Sequence, residues 1–303
     1  MPPKHFKLGN WLHSLMAAHY RDGNYEAQHE ALVKEWNSLF LEEREMYGDL
    51  PNEAKRLMDA YLYHWREEES SWKVIWAEET FEVNFEEGDV YTFKPDLIVK
   101  EGNEYWVVDH KSTSSIPDAE WRLFDLQSTL YSWALREAGI ADIKGFIFNY
   151  IRTKEPTVPS INIDGAISKR RIDTDFHTLA TFLLDYYAVD RLSQLPKSWQ
   201  TQLKALKTAP SKFFKRSRIT KDQALINRQV EELTYTAQEM EAYLEMERDE
   251  KFDPWVRTTI PPCEWDCEYH DLCLVQLLGG DGEFLIRTKF QGSQYVKERD
   301  LGN

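Results

Sequence analysis

Three stretches, in chain order, decide the reading. They are Val90-Tyr91-Thr92-Phe93-Lys94-Pro95-Asp96-Leu97-Ile98-Val99, then Glu104-Tyr105-Trp106-Val107-Val108-Asp109-His110-Lys111, then Gln127-Ser128-Thr129-Leu130-Tyr131. The first two are rich in β-branched and aromatic residues and flank a Gly102-Asn103 turn, so they predict two adjacent strands of a hairpin. Such a pair brings Asp96 and Asp109 close together. Two like charges at that separation are unfavourable alone, and a bound cation is their natural partner. Lys111 lies two residues past Asp109, so on a strand it faces the same side. A lysine there can orient an attacking water and steady the charge that builds at phosphorus. From Ala119 to Ala138, Trp121, Phe124, Leu126, Leu130, Trp133 and Leu135 recur with helical spacing. On that helix Gln127 and Tyr131 are an i, i+4 pair on one face.

Each piece alone has a plainer reading. A lone D-x-K is an ordinary ion pair at a strand end, His13 on an apolar helix face is a core histidine, and Tyr131 packs in a core with its hydroxyl bonded. Gln127 is harder to absorb that way, because a buried amide needs partners. Taken in order, the set resembles the RecB-like branch of the PD-(D/E)XK nuclease superfamily, of phage type and related to AddB and the iron–sulfur CRISPR-adaptation nucleases. Upstream, Gly9-Asn10-Trp11-Leu12-His13 matches that branch's first motif, a helix with glycine four residues before histidine. The Glu often found four residues after the histidine is Ala17 here. Trp76-Ala77-Glu78-Glu79-Thr80-Phe81-Glu82-Val83 resembles the strand that enters the core, where an acid recurs; Glu79 is preferred over Glu78.

The resemblance implies an α/β fold: a restriction-endonuclease-like core, with a mixed central sheet flanked by helices and helical N- and C-terminal elaborations. It implies an enzyme that hydrolyses phosphodiester bonds of DNA with Mg2+ or Mn2+, an exonuclease or a structure-specific nuclease. Asp96, Asp109, Lys111, Gln127 and Tyr131 would be catalytic. His13, Asp96, Asp109 and the backbone carbonyl of His110 would hold the metal, while Gln127 and Tyr131 grip the substrate backbone. The setting implied is recombination, repair or phage genome processing, with single- or double-stranded DNA as partner and room for a recombination partner protein. The other reading is a catalytically silent nucleic-acid-binding or scaffold module of the same fold. Its signature would be loss of Asp96, Asp109 or Lys111, and all three are intact.

A chain of 303 residues with 42% hydrophobic residues and 11 Trp is globular rather than disordered. No apolar run approaches the ~18 residues of a membrane span, and Met-Pro-Pro-Lys-His opens no signal peptide, so no membrane partner and a cytoplasmic location, bacterial or in a phage-infected host, are expected. Net charge is −15, with acidic clusters at Glu42-Glu43-Arg44-Glu45, Glu67-Glu68-Glu69 and Glu86-Glu87. Local fields matter more than the sum. Ser211-Lys212-Phe213-Phe214-Lys215-Arg216-Ser217-Arg218-Ile219-Thr220-Lys221 carries five basic residues and no acid, Arg152 and Lys154 follow a strand-like run, and Lys169-Arg170-Arg171 follow a loop. Arg152, Lys212, Lys215 and Arg216 are therefore candidates to track phosphates, against the plainer reading of a solvated basic helix start.

One domain over 1–303 is expected, with a helical part over 1–72, a catalytic core over 73–153 and a helical C-terminal part over 154–303. Helices are read over Tyr25–Glu45, Asn52–Glu69, Phe176–Leu192 and Thr220–Arg248, a buried strand over Gly145–Ile151, and a loop over Ile161–Arg171. Cys263, Cys267 and Cys273 cluster near the end, which argues metal over disulfide in a reducing compartment. Relatives with a C-terminal cysteine trio hold a 4Fe–4S cluster with a fourth cysteine, for which no ligand is identified here. Three readings stay open: an iron–sulfur cluster, a zinc site completed by His270, or no metal.

Overall fold

The structure, a computed structural model, describes residues 3–84, 90–117, 119–168, 170–248, 267 and 269–290. Their contacts group them into two compact units, Met1–Thr236 and Ala237–Asn303. Among the described residues no helix is long and apolar enough to cross a membrane.

The first unit opens with four helices: α1 (Lys4–Asp22), α2 (Glu26–Ser38), α3 (Leu41–Tyr47) and α4 (Leu50–Glu69). The single helix read over Tyr25–Glu45 is in fact two, because Leu39 and Phe40 take up extended backbone between them. Leu12, Leu15, Met16, Leu57, Met58 and Tyr61, at helical spacing on α1 and α4, are buried against each other. Each such side chain contributes roughly 1.5–3 kcal/mol on burial.

Seven strands follow: β1 (Trp72–Ala77), β2 (Phe81–Asn84), β3 (Val90–Phe93), β4 (Leu97–Glu101), β5 (Glu104–Thr113), β6 (Ile143–Arg152) and β7 (Phe214–Ile219). Five form one mixed sheet in the order β1-β4-β5-β6-β7, and β2 pairs with β3 in a ribbon. β4 and β5 are antiparallel, with Leu97 opposite Val108, so the hairpin read from the sequence is present. β5 and β6 are parallel, with Asp109 opposite Phe148 and Lys111 opposite Tyr150. Parallel pairing requires a crossover, and α5 (Leu126–Glu137) supplies it.

Alternation along the strands builds two cores. Ile98, Val107, Phe146 and Phe148 pack with Ala134 and Leu135 of α5 on one face. Leu97, Val99, Val108 and Ile147 face the other side, with Tyr20 of α1 packed against them. Near-continuous burial of Val107–His110 and Gly145–Ile151 is what a sheet covered on both faces demands. Gly145 lies where a Cβ would stand 2.3 Å from the carbonyl oxygen of Ile219, so only glycine lets β7 approach. The region Ala119–Ala138 divides into a 3-10 turn, Ala119–Phe124, and α5, because the Asp125 side chain caps the helix by accepting from Ser128 N at 2.8 Å.

Beyond β6, residues 153–168 are irregular apart from the bridge Ile161–Ile167. Then α6 (Phe176–Tyr187) and α7 (Lys197–Thr208) bury Leu179, Leu183 and Leu203 in a satellite core. α8 (Gln223–Arg248) contains the boundary between the units. In the second unit, α9 (His270–Leu277) and α10 (Gly282–Lys289) pack together, and Lys289 pairs with Asp271 at 2.6 Å. Cys267 and Cys273 are free thiols, and they do not close with His270 into a group of metal ligands. The iron–sulfur and zinc readings therefore gain no support from the described residues; Cys263 lies outside them.

Candidate active site

Asp96 stands at the entrance to β4, and Asp109 and Lys111 lie in the C-terminal half of β5. The hairpin register carries Asp96 up to the β5 backbone, where its Oδ2 accepts from His110 N at 2.7 Å. Lys111 Nζ donates to Asp109 Oδ1 at 3.0 Å and to Gln127 Oε1 at 3.3 Å. Gln127 Nε2 donates to the Tyr131 hydroxyl at 3.2 Å, and that hydroxyl donates to the Lys94 carbonyl at 3.3 Å. The i, i+4 pair on α5 thus ties the lysine to the backbone beside Pro95-Asp96, and it does so from the same face of the sheet.

His13 comes from α1. A Cβ on Gly9, one turn earlier, would stand 2.6 Å from Ser112 Oγ, so glycine allows α1 to lie directly on the end of β5. That approach puts His13 Nδ1 3.5 Å from Asp96 Oδ2. One ligand atom each from His13, Glu78 and Asp96 lie within 4.8 Å of one another. An open cleft of about 1010 Å3 runs beside this trio, lined by Gly9, His13, Glu78, Lys94 and Ser112 among others.

Glu78, not Glu79, enters the site, and Glu79 is exposed. Glu78 follows directly on β1, whose register shifts between Val74 and Trp76. Glu78 also takes left-handed backbone, φ 54°, and its N–H donates to Asp96 O at 3.0 Å. This conformation is costly for a residue with a Cβ and is held by the surrounding contacts. Its carboxylate pairs with Lys94 Nζ.

Electrostatics follow from burial and these neighbours. Burial pushes the Asp109 carboxyl up to about 6; Lys111 opposes the shift and the Asp96 charge adds to it. Burial also acts to raise Asp96, but the bond to His13, the charge of His13 and the His110 N–H outweigh it, leaving Asp96 below the usual carboxylate range. Burial pulls His13 down, whereas the hydrogen bond and charge of Asp96, with Asp109 and Glu78, raise it above its ordinary value. His110, on the opposite face of β5, is driven by burial down to about 3 and is neutral. Asp109 Oδ2 is buried, with Lys111 Nζ 2.9 Å away. The converging His13, Glu78 and Asp96 ligand atoms suit a divalent cation.

A model of the PD-(D/E)XK nuclease superfamily matches residues 2–274. The chain belongs to that superfamily. PD-(D/E)XK proteins are metal-dependent nucleases, and the five-stranded mixed sheet between helices agrees with their restriction-endonuclease-like fold. A search of curated proteins found no match. Among solved structures, the crystal structure of SSO0001 aligns at 15% identity, covering 68% of this chain and 85% of that one, with a TM-score of 0.23.

Against the PD-(D/E)XK reading, the four basic candidates part company. Lys212 is exposed, and Lys215 is half-buried with its Nζ 3.4 Å from the Pro117 carbonyl. Arg152 pairs with Asp173 at 2.7 Å and lies over the Phe213 ring. Arg216 is corrected outright: its side chain is 3% exposed, paired with Glu68 and Glu69 and sandwiched between the rings of Trp65 and Trp72, so it offers nothing to a phosphate. The stretch read as a basic helix start is strand β7, whose alternation sends Arg216 inward. Lys94, whose side chain and carbonyl both join the site, was missed; its position next to Pro95-Asp96 was the available signal.

Proposed function

We propose that this PD-(D/E)XK protein is a Mg2+- or Mn2+-dependent deoxyribonuclease, working as an exonuclease on DNA. The observation that supports it most is the convergence of Asp96, Glu78 and His13 next to a buried Asp109 carboxylate paired with Lys111. His13, Glu78, Asp96 and Asp109, with the His110 carbonyl, would hold the cation. A divalent cation there supplies Lewis acidity toward a phosphoryl oxygen. Lys111, fixed between Asp109 and Gln127, holds the attacking water in line and offsets charge on the phosphorane oxygens. Gln127 and Tyr131 keep that lysine in place and face the strand being cut. Exposed Lys212 is the basic candidate best placed to meet a phosphate outside the cleft. A role in recombination, repair or phage genome processing rests on resemblance.

Digestion of end-labelled linear DNA and closed circular plasmid with Mn2+, Mg2+ or EDTA tests this. Shortening of linear DNA from its ends, with the circle spared, is expected with metal only. Nicking of the circle would make it an endonuclease, and no cleavage of DNA under any metal would sink the proposal.

A further inference from the structure

The buried arginine has a task that the site description leaves open. Arg216 is a donor only. Its Nε lies 3.3 Å from Asn149 Oδ1, and its Nη2 donates to the Tyr61 hydroxyl at 2.8 Å and to Glu69. That contact fixes which way the fully buried Asn149 amide points, because only the oxygen can face a guanidinium. The NH2 group then turns the other way. One hydrogen meets the Tyr61 hydroxyl at 3.0 Å and the other meets His110 Nδ1 at 2.7 Å. With the amide so oriented Nδ1 accepts, which assigns the imidazole proton to Nε2, a buried atom with no hydrogen-bond partner among the described residues. The ring is further held by Tyr20, stacked on it at 5.7 Å between centroids and 8° between planes. His110 is the residue whose backbone N–H holds Asp96, and it sits between Asp109 and Lys111 on β5.

We propose that Arg216 and Asn149 are positioning residues for the metal centre: they lock the His110 ring in its Nε2–H form and so fix the peptide that orients Asp96. Three strands, β5, β6 and β7, contribute one side chain each, at positions paired across the sheet: His110 opposite Asn149, and Asn149 opposite Arg216. The lock lies on the α1 face of the sheet, with the His13 ring 6.0 Å from that of His110, and it acts through His110. The inference rests on the metal-dependent reading of the site, but its first test does not.

That test is 15N NMR of the histidine ring nitrogens in the metal-free full chain, with His110 assigned by its loss in His110→Gln. A pyridine-type Nδ1 and a protonated Nε2 are expected; a protonated Nδ1 would overturn the lock whether or not the protein cleaves DNA. In Asn149→Asp the new carboxylate only accepts, so His110 should move its proton to Nδ1. Turnover should fall about tenfold with the KM for DNA within about twofold. A switched tautomer with wild-type turnover would refute the positioning role. Should that variant fail to fold, Arg216→Met combined with Glu69→Gln removes the guanidinium without leaving a buried charge. It should give mixed tautomers and weaker Mn2+ binding by calorimetry, and one retained tautomer with unchanged Mn2+ affinity would equally refute it.

Discussion

Lys111 straddles the Asp109 carboxylate: its ammonium lies 3.0 Å from Oδ1 and 2.9 Å from Oδ2. One ammonium is thus the partner of a carboxylate buried in the fold, and the energetics of the metal-free site hinge on that burial.

Replacing Asp109 by Asn should stabilise the metal-free protein at neutral pH while abolishing cleavage. The sign follows from the raised carboxyl, about 6 in the fold against an ordinary 3.8. The folded state binds more protons between those values, so stability falls as pH rises through that window and the cost is full above it. At 1.36 kcal/mol per unit the ceiling is about 3 kcal/mol, reduced by the loss of the Lys111 pair. Thermal melts with EDTA should show Asp109→Asn above wild type at pH 7.5 and level with it at pH 3.5. A mutant that melts lower at pH 7.5 would contradict this account.

Lys111→Ala should lower kcat by two or more orders of magnitude while changing DNA affinity little, because the ammonium acts where charge develops rather than on the bound strand. Fluorescence anisotropy in Ca2+ beside single-turnover rates in Mn2+ separates the two. Equal losses in both would make Lys111 a phosphate anchor.

Gln127→Ala should reduce kcat more than Tyr131→Phe does, since Gln127 touches the lysine directly and Tyr131 acts one bond further away. Severalfold against about twofold is the expected order, with Mn2+ binding by calorimetry intact in both. Loss of Mn2+ binding in either would place that residue among the metal ligands.

Gly9→Ala puts a methyl 2.6 Å from Ser112 Oγ, so the hydroxyl must turn away, and that cost offsets the roughly 1 kcal/mol that alanine gains over glycine inside a helix. In a Ser112→Ala background the clash disappears, because the serine Cβ stands an ordinary 3.8 Å from the new methyl. A double-mutant cycle in urea should therefore be strongly non-additive. Additive effects would show that α1 does not owe its seat on β5 to that glycine.

The hairpin, the crossover helix and the buried strand were legible because alternation and helical spacing are local patterns. Lys111 reaches Asp109 on the same face of β5, and Asp96 reaches the His110 N–H. Nothing in Trp76-Ala77-Glu78-Glu79 separates the two acids, because the left-handed turn at Glu78 and its bond to Asp96 O depend on a partner strand. Arg216 was misread because a run of lysines and arginines looks alike on a helix or an edge strand. Burial beneath Trp65 and Trp72 and the approach of Glu69 come from sequence more than a hundred residues away. Length of local agreement decided what could be read; long-range pairing decided the rest.

His13, Glu78 and Asp96 come from a helix, a strand end and a bend that are far apart in the chain. A cation shared among them is a removable cross-link, closing the loop between the first helix and the sheet as a staple would. Metal concentration then sets how firmly α1 is seated, by mass action on the folded state. Hydrogen exchange in EDTA should open the amides of α1 before those of β5, and Mn2+ should close them. An ion held there would then ready the protein to cut and also govern how far its N-terminal helix is open to proteases.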